Sequence, residues 1–175
     1  LREAFADISE ICFKEINTKL PFLLACINEG LRLYPPTPLG LWRRTLPGPP
    51  TSISGYEIPE NTVVSVHQLA AYHSEMNFHD AKAYHPQRWL PEELSDPASP
   101  FRNDDHDSCR PFSYGPRNCI GRNLALNELK LILAKILWRF DLRLMPGFEN
   151  WTSNQRSYQQ WQLPDLRIRL KERER

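Results

Sequence analysis

Leu20, Leu23, Leu24, Ile27 and Leu31 recur at three- and four-residue spacing, so the segment from Pro21 to Leu33 reads as a helix with one apolar stripe. Pro21 suits its first turn, and Pro35-Pro36 stop it. Ala4 to Phe13 reads as a shorter helix upstream. From Thr37 to Val66 the period changes: short runs at Tyr56, Ile58 and Val63 to Val66 are set between turn residues Gly48-Pro49-Pro50 and Ser54-Gly55, which predicts a few small strands. Leu69 to Met76 reads as another short helix, and Asp80 to Cys109 as an irregular, proline- and acid-rich meander. Arg122 to Phe140 is the one long helix, apolar around most of its circumference and therefore expected in the core. Beyond Pro146 the alternation in WTSNQRSYQQWQL and DLRIRL predicts a terminal hairpin. The pattern gives a mainly α chain with small β elements, α+β, in one domain.

Composition narrows what such a chain does. Its 175 residues carry 22 Lys+Arg against 21 Asp+Glu, a net charge of +1. That excludes the global field of a nucleic-acid binder and leaves recognition to local patches. The richest apolar stretch, Leu124 to Leu144, is interrupted by Glu128, Lys130, Lys135, Arg139 and Asp141, so it does not read as a membrane span. Cys12, Cys26, Cys109 and Cys119 have no C-x-x-C spacing, and reduced thiols are expected.

One of those thiols sits in a chemically loaded place. Phe112-Ser113-Tyr114-Gly115-Pro116-Arg117-Asn118-Cys119-Ile120-Gly121 ends a tight loop with a cysteine just before the long helix. Unpaired N–H groups at a helix start and the cation of Arg117 favour a charged sulfur, which ligates soft or redox-active metals. Gly115 and Gly121 fit places where the backbone turns through positive φ or lies against a flat ligand. Phe112 is placed to shield one side of the sulfur.

The spacing F-x-x-G-x-R-x-C-x-G over Phe112, Gly115, Arg117, Cys119 and Gly121 resembles the haem-ligand signature of the cytochrome P450 family. Glu29-Gly30-Leu31-Arg32 resembles the family's E-x-x-R pair, and Pro86-Gln87-Arg88-Trp89 its P-E-R-W segment, with Gln87 in place of the usual glutamate. The resemblance runs from Ile27 to about Trp161 and covers the C-terminal part of the fold, so the chain is expected to be a truncated cytochrome P450 domain over residues 1–175. It implies haem b as cofactor, with Cys119 as the axial thiolate on iron. It also implies a buried Glu29, Arg32 and Arg88 network, in which Gln87 spares the arginine but is expected to loosen its surroundings. Arg43 and Arg117 are implied as propionate partners, with adjacent Arg44 leaving the register open. His73 is implied as a further cofactor contact beside Ser74, which stands where the family has a basic residue.

Pro38, Leu39, Gly40, Leu41, Tyr158 and Gln159 correspond by resemblance to pocket-lining segments. The implied activity is a monooxygenase that uses O2 and electrons from an NADPH-dependent reductase to oxidise a small lipophilic substrate, as in fungal microsomal members with roles in secondary metabolism. The acidic donor would dock beside Arg122, Lys130, Lys135, Arg139 and Arg143. A full-length relative would face the cytosol from the endoplasmic reticulum membrane. The present chain shows no anchor and is expected to be soluble or to aggregate. Two other classes use the same residues: a haem-thiolate isomerase, dehydratase or non-catalytic haem-binding fragment, and a zinc module with His106, Cys109 and Cys119 as ligands.

Overall fold

The computed structural model describes residues 1–173, the side chain of Asn154 excepted. Helices α1 (Phe13–Lys19), α2 (Pro21–Leu33) and α5 (Arg122–Arg139) meet in one apolar cluster. Ile16, Leu20, Leu23 and Ile27 pack there with Phe5, Ile11, Ala134 and Trp138. Each fully buried aliphatic side chain contributes about 1.5–3 kcal/mol, which is what fixes the three helices in one arrangement. Helix α2 has the limits its apolar stripe predicts.

The N-terminal helix lies elsewhere than the periodicity suggests. Residues Ile8–Glu10 form only a 3-10 turn, because Asp7 accepts the Ser9 amide at 2.8 Å and extended backbone at Ile11 and Cys12 separates this turn from α1. Arg2 reaches across to the far end of α5, where Nε donates to the Leu137 carbonyl at 3.0 Å and Nη2 to that of Phe140 at 2.9 Å. A fixed cation thereby satisfies orphan carbonyls at the negative end of that helix.

After α2 come four short strands, β1 (Arg43–Arg44), β2 (Thr51–Ile53), β3 (Tyr56–Ile58) and β4 (Val63–Val64), paired antiparallel as β1 with β4 and β2 with β3. Helix α3 (Gln68–Tyr72) is shorter than expected. The meander then holds a 3-10 turn at Pro86–Trp89 and a five-residue helix α4 (Pro91–Ser95). Residues DLRIRL do not close a hairpin on the preceding segment. Instead β8 (Ile168–Glu172) pairs with β5 (Phe140–Leu144), which continues directly from α5. The expected terminal hairpin is the smaller pair β6 (Arg156–Ser157) and β7 (Trp161–Gln162).

Expected in the core, α5 buries only Ala134 and Trp138, while Leu124, Leu129 and Ile132 face solvent. Its apolar residues encircle the helix, but α1 and α2 cover one side. Among the described residues no helix is long and apolar enough to cross a membrane.

Candidate functional site

The site rests on a charged foundation. Glu29 on α2 accepts Arg32 Nη2 at 2.8 Å and Nε at 2.9 Å, and Arg88 Nε at 3.2 Å, all three side chains being wholly buried. The guanidinium of Arg32 also donates to the Tyr72, Ala81 and Ala83 carbonyls, which ties the end of α2 to α3 and the meander. Two cations and one carboxylate would leave an excess buried charge. Asp104 removes it, by pairing with Arg88 Nη1 through Oδ2 while Oδ1 accepts the His79 amide at 2.7 Å. Sequence reasoning missed Asp104, since it lies in an acid-rich run that reads as a solvated loop; the charge count of the network was the available signal.

Burial alone would raise the pKa of Glu29. The Arg32 bonds, the His85 amide at 2.9 Å and the Trp89 indole N–H at 2.9 Å outweigh it and hold the carboxyl below its ordinary value. Gln87 does not loosen the network: it is exposed on the outer side of the 3-10 turn whose inner side carries Arg88.

The cysteine loop runs over this foundation into α5. The Cys119 amide donates to the Phe112 carbonyl at 2.9 Å, closing the loop into a tight curl, and the Arg122 amide donates to the Cys119 carbonyl at 3.2 Å. Gly115 holds a φ of +78°, a backbone state that favours glycine, so the curl depends on it. A Cβ at Gly121 would lie 3.9 Å from the Cys119 sulfur, in ordinary contact. Cys119 is exposed, and so are Ile120, Tyr114, Arg117 and Leu124 around it. Arg43 on β1 meets this loop, with Nη2 donating to Ser113 Oγ at 3.1 Å and to the Arg117 carbonyl at 3.5 Å. Side chains alternate across a strand, so Arg43 rather than Arg44 faces the cysteine loop.

His73 departs from its expected role. Its Nε2–H donates to the Leu33 carbonyl at 3.0 Å at the end of α2, and desolvation with Arg32 nearby lowers its pKa. A neutral ring bonded to the polypeptide is poorly suited to a carboxylate, so it serves the joint between α2 and α3. The pocket candidates divide in the same way. Pro38 is wholly buried, and Gly40 (φ +81°) packs so closely that a Cβ would lie 1.9 Å from the Val66 carbonyl oxygen. Leu41 lines a cleft of about 590 Å³ with Arg43, Val64, Ser113 and Tyr114. Tyr158 and Gln159 are exposed at the tip of the β6–β7 hairpin.

Two of the five cations expected to form a patch have partners within the chain. Lys130 donates to Asn17 at 2.9 Å, and Arg139 pairs with Glu172 at 2.9 Å, so both serve the fold. Zinc is not supported: among the described residues no three His, Cys, Asp or Glu side chains converge as metal ligands. Burial also pushes the Cys109 thiol up to about 12, which keeps it protonated.

A single exposed sulfur can hold a metal only if the remaining donors come with the metal. The exposed apolar side chains of Tyr114, Ile120 and Leu124 in the loop and helix start that carry the sulfur, and the Arg43 guanidinium bonded to the same loop, suit a flat macrocycle that brings its own four nitrogens and two carboxylates. The exposed Cys119 sulfur and the residues around it therefore fit haem.

The family model described as Cytochrome P450 matches residues 1–171. The chain is 60% identical over 174 residues to the cytochrome P450 monooxygenase dtxS2 of Metarhizium robertsii, covering 99% of this chain and 34% of that protein. It is 46% identical over 173 residues to the trichothecene C-4 hydroxylase of Trichoderma arundinaceum, again covering 99% and 34%. The crystal structure of the cytochrome P450DA heme domain superposes with a TM-score of 0.76 at 23% identity, over 98% of this chain and 36% of that one. The chain belongs to the cytochrome P450 family. It spans about a third of the length of the curated relatives it matches.

Proposed function

We propose that this chain carries the haem-ligand part of a monooxygenase that hydroxylates a small lipophilic substrate, in which the Cys119 sulfur would hold haem b. The observation that carries the reading is the exposed Cys119 sulfur at the end of the Phe112–Gly121 curl, with the Arg43 guanidinium bonded to the same loop at Ser113 and the Arg117 carbonyl. When bound, a haem-thiolate supplies O2 activation, helped by the electron density of the sulfur. The protein's part is positional. The curl and the start of α5 fix the sulfur, Arg43 and Arg117 orient the carboxylates of the cofactor, and the charged network holds the platform rigid. The 38–41 segment, through Leu41, and the turn at Tyr158 and Gln159 would line the substrate side.

Names of relatives such as trichothecene C-4 hydroxylase support hydroxylation of an organic substrate and a place in secondary metabolism. An NADPH-dependent reductase is the electron donor we propose, with Arg122, exposed at the start of α5, as a cation for an acidic partner. The whole protein would face the cytosol from the endoplasmic reticulum, which membrane fractionation of the full-length protein tests.

The decisive experiment loads haem into the full-length protein carrying this segment, reduces it and adds carbon monoxide. Wild type should give the strongly red-shifted Soret band of a thiolate complex, and Cys119→Ala should lose it. Identical spectra for both would remove the sulfur, and the proposed activity with it.

A further inference from the structure

The two residues that follow α2 carry a second assembly that the sulfur site does not use. The Tyr34 and Trp161 rings stack with centroids 4.5 Å apart and planes 12° from parallel. Trp161 Nε1–H donates to the Pro35 carbonyl at 2.7 Å, and the Tyr34 hydroxyl donates to Gln155 Oε1. Trp151 adds a third ring 5.9 Å from Tyr34. Gln155 immediately precedes β6 and Trp161 begins β7, so both legs of the hairpin are fastened to the same two residues, Tyr34 and Pro35. The tip between those legs, Tyr158 to Gln160, is exposed and has one internal bond, from the Tyr158 amide to the Gln160 carbonyl at 2.9 Å. Two-residue strands hold little register by themselves. The position of the tip is therefore set by the clamp at its base.

We propose that Tyr34 and Trp161 are positioning residues for substrate selection, holding the 158–160 tip at a fixed distance from the 38–41 segment that follows Pro35 and Pro36 on the same piece of chain. This rests on the reading above that both segments line the substrate side of a haem pocket. The two rings touch no substrate themselves. Their stack and the indole N–H act through the hairpin, and they act most on ligands long enough to reach its tip. A rigid clamp spares a bound ligand the entropy cost of ordering the tip.

The test uses the full-length protein loaded with haem and three probes that bind iron through one nitrogen: imidazole, N-phenylimidazole and N-(4-biphenyl)imidazole. Affinities come from the optical shift. With Trp161→Ala the biphenyl probe should bind roughly tenfold more weakly, while imidazole changes by less than about twofold. Trp161→Phe, which keeps a ring but deletes the bond to Pro35, should lie between, and Tyr34→Phe should resemble it. Amide exchange at 157–161 should quicken in the same order, in a readout independent of activity. If Trp161→Ala fails to fold, the two Phe variants decide. An unchanged probe series, or an equal loss for all three probes, overturns the proposal. Absence of the red-shifted carbon monoxide band in wild type instead overturns the haem-thiolate reading on which it rests, and is seen before any variant is made.

Discussion

At Glu29, two guanidinium groups, an indole N–H and a backbone amide converge on two oxygens out of reach of water. Removing that charge leaves Arg32 and Arg88 facing Asp104 alone. Glu29→Gln should therefore cost about 3–5 kcal/mol, a large share of the stability of any small domain, read as a lowered urea midpoint. The exposed pair Arg110 and Asp107 is the contrast: Asp107→Asn should change stability by less than ~0.5 kcal/mol. Acid should act on the same network from both sides. His73 and His106 have folded pKa values lowered chiefly by burial, so the unfolded chain binds more protons and stability falls as pH drops below about 6.5. Glu29 is also held low, so its contribution is present above its ordinary value of about 4.3 and fades as pH falls through the lower folded one. Unfolding midpoints measured from pH 8 to pH 3 should show both declines, and His73→Gln should reduce the upper one.

Among the elements, the most constrained turn is the one after Pro35-Pro36. A Cβ at Gly40 would overlap the Val66 carbonyl oxygen, and the φ of +81° adds strain, so Gly40→Ala should cost more than ~2 kcal/mol, visible in thermal unfolding. The thiols divide by element too. Cys12 and Cys119 are exposed, whereas Cys109 is buried with its pKa pushed up to about 12, so a disulfide reagent at pH 8 should modify the first two quickly and Cys109 only on unfolding. Elements with local signals were legible in the sequence. The stripe from Leu20 to Leu31 and its flanking prolines gave α2 to the residue, and the spacing around Cys119 gave the loop. The β2–β3 hairpin was only half visible, through Tyr56, Ile58 and the Ser54-Gly55 turn, because all of β2 is exposed and carries no alternation. The first helix was misplaced because a capped turn at Asp7 imitates its periodicity. The Arg2 link to α5, and Asp104 beside Arg88, depend on chain reversals that no local pattern records.

At the scale of the molecule, the two faces of α5 decide how the chain behaves in water. One face joins the cluster around Ile16, Leu23 and Ile27, and the same sequence supplies further apolar side chains to the other. There Leu124 is 64% and Ile132 54% exposed, Ile120 is fully so, and Tyr114 stands 79% clear on the neighbouring loop. Isolated apolar side chains on a surface are ordinary, but several on one helix and the loop that leads into it favour association. The 175-residue chain should therefore bind a hydrophobic dye while folded and sediment heavier as its concentration rises. Replacing Leu124 and Ile132 by Gln removes apolar surface without touching the cluster on the opposite face. That double variant should bind less dye and remain monomeric at higher concentration, with its unfolding midpoint nearly unchanged. A large fall in the midpoint would mean that these two side chains belong to the core, and that α5 is enclosed on both sides as its composition alone suggests.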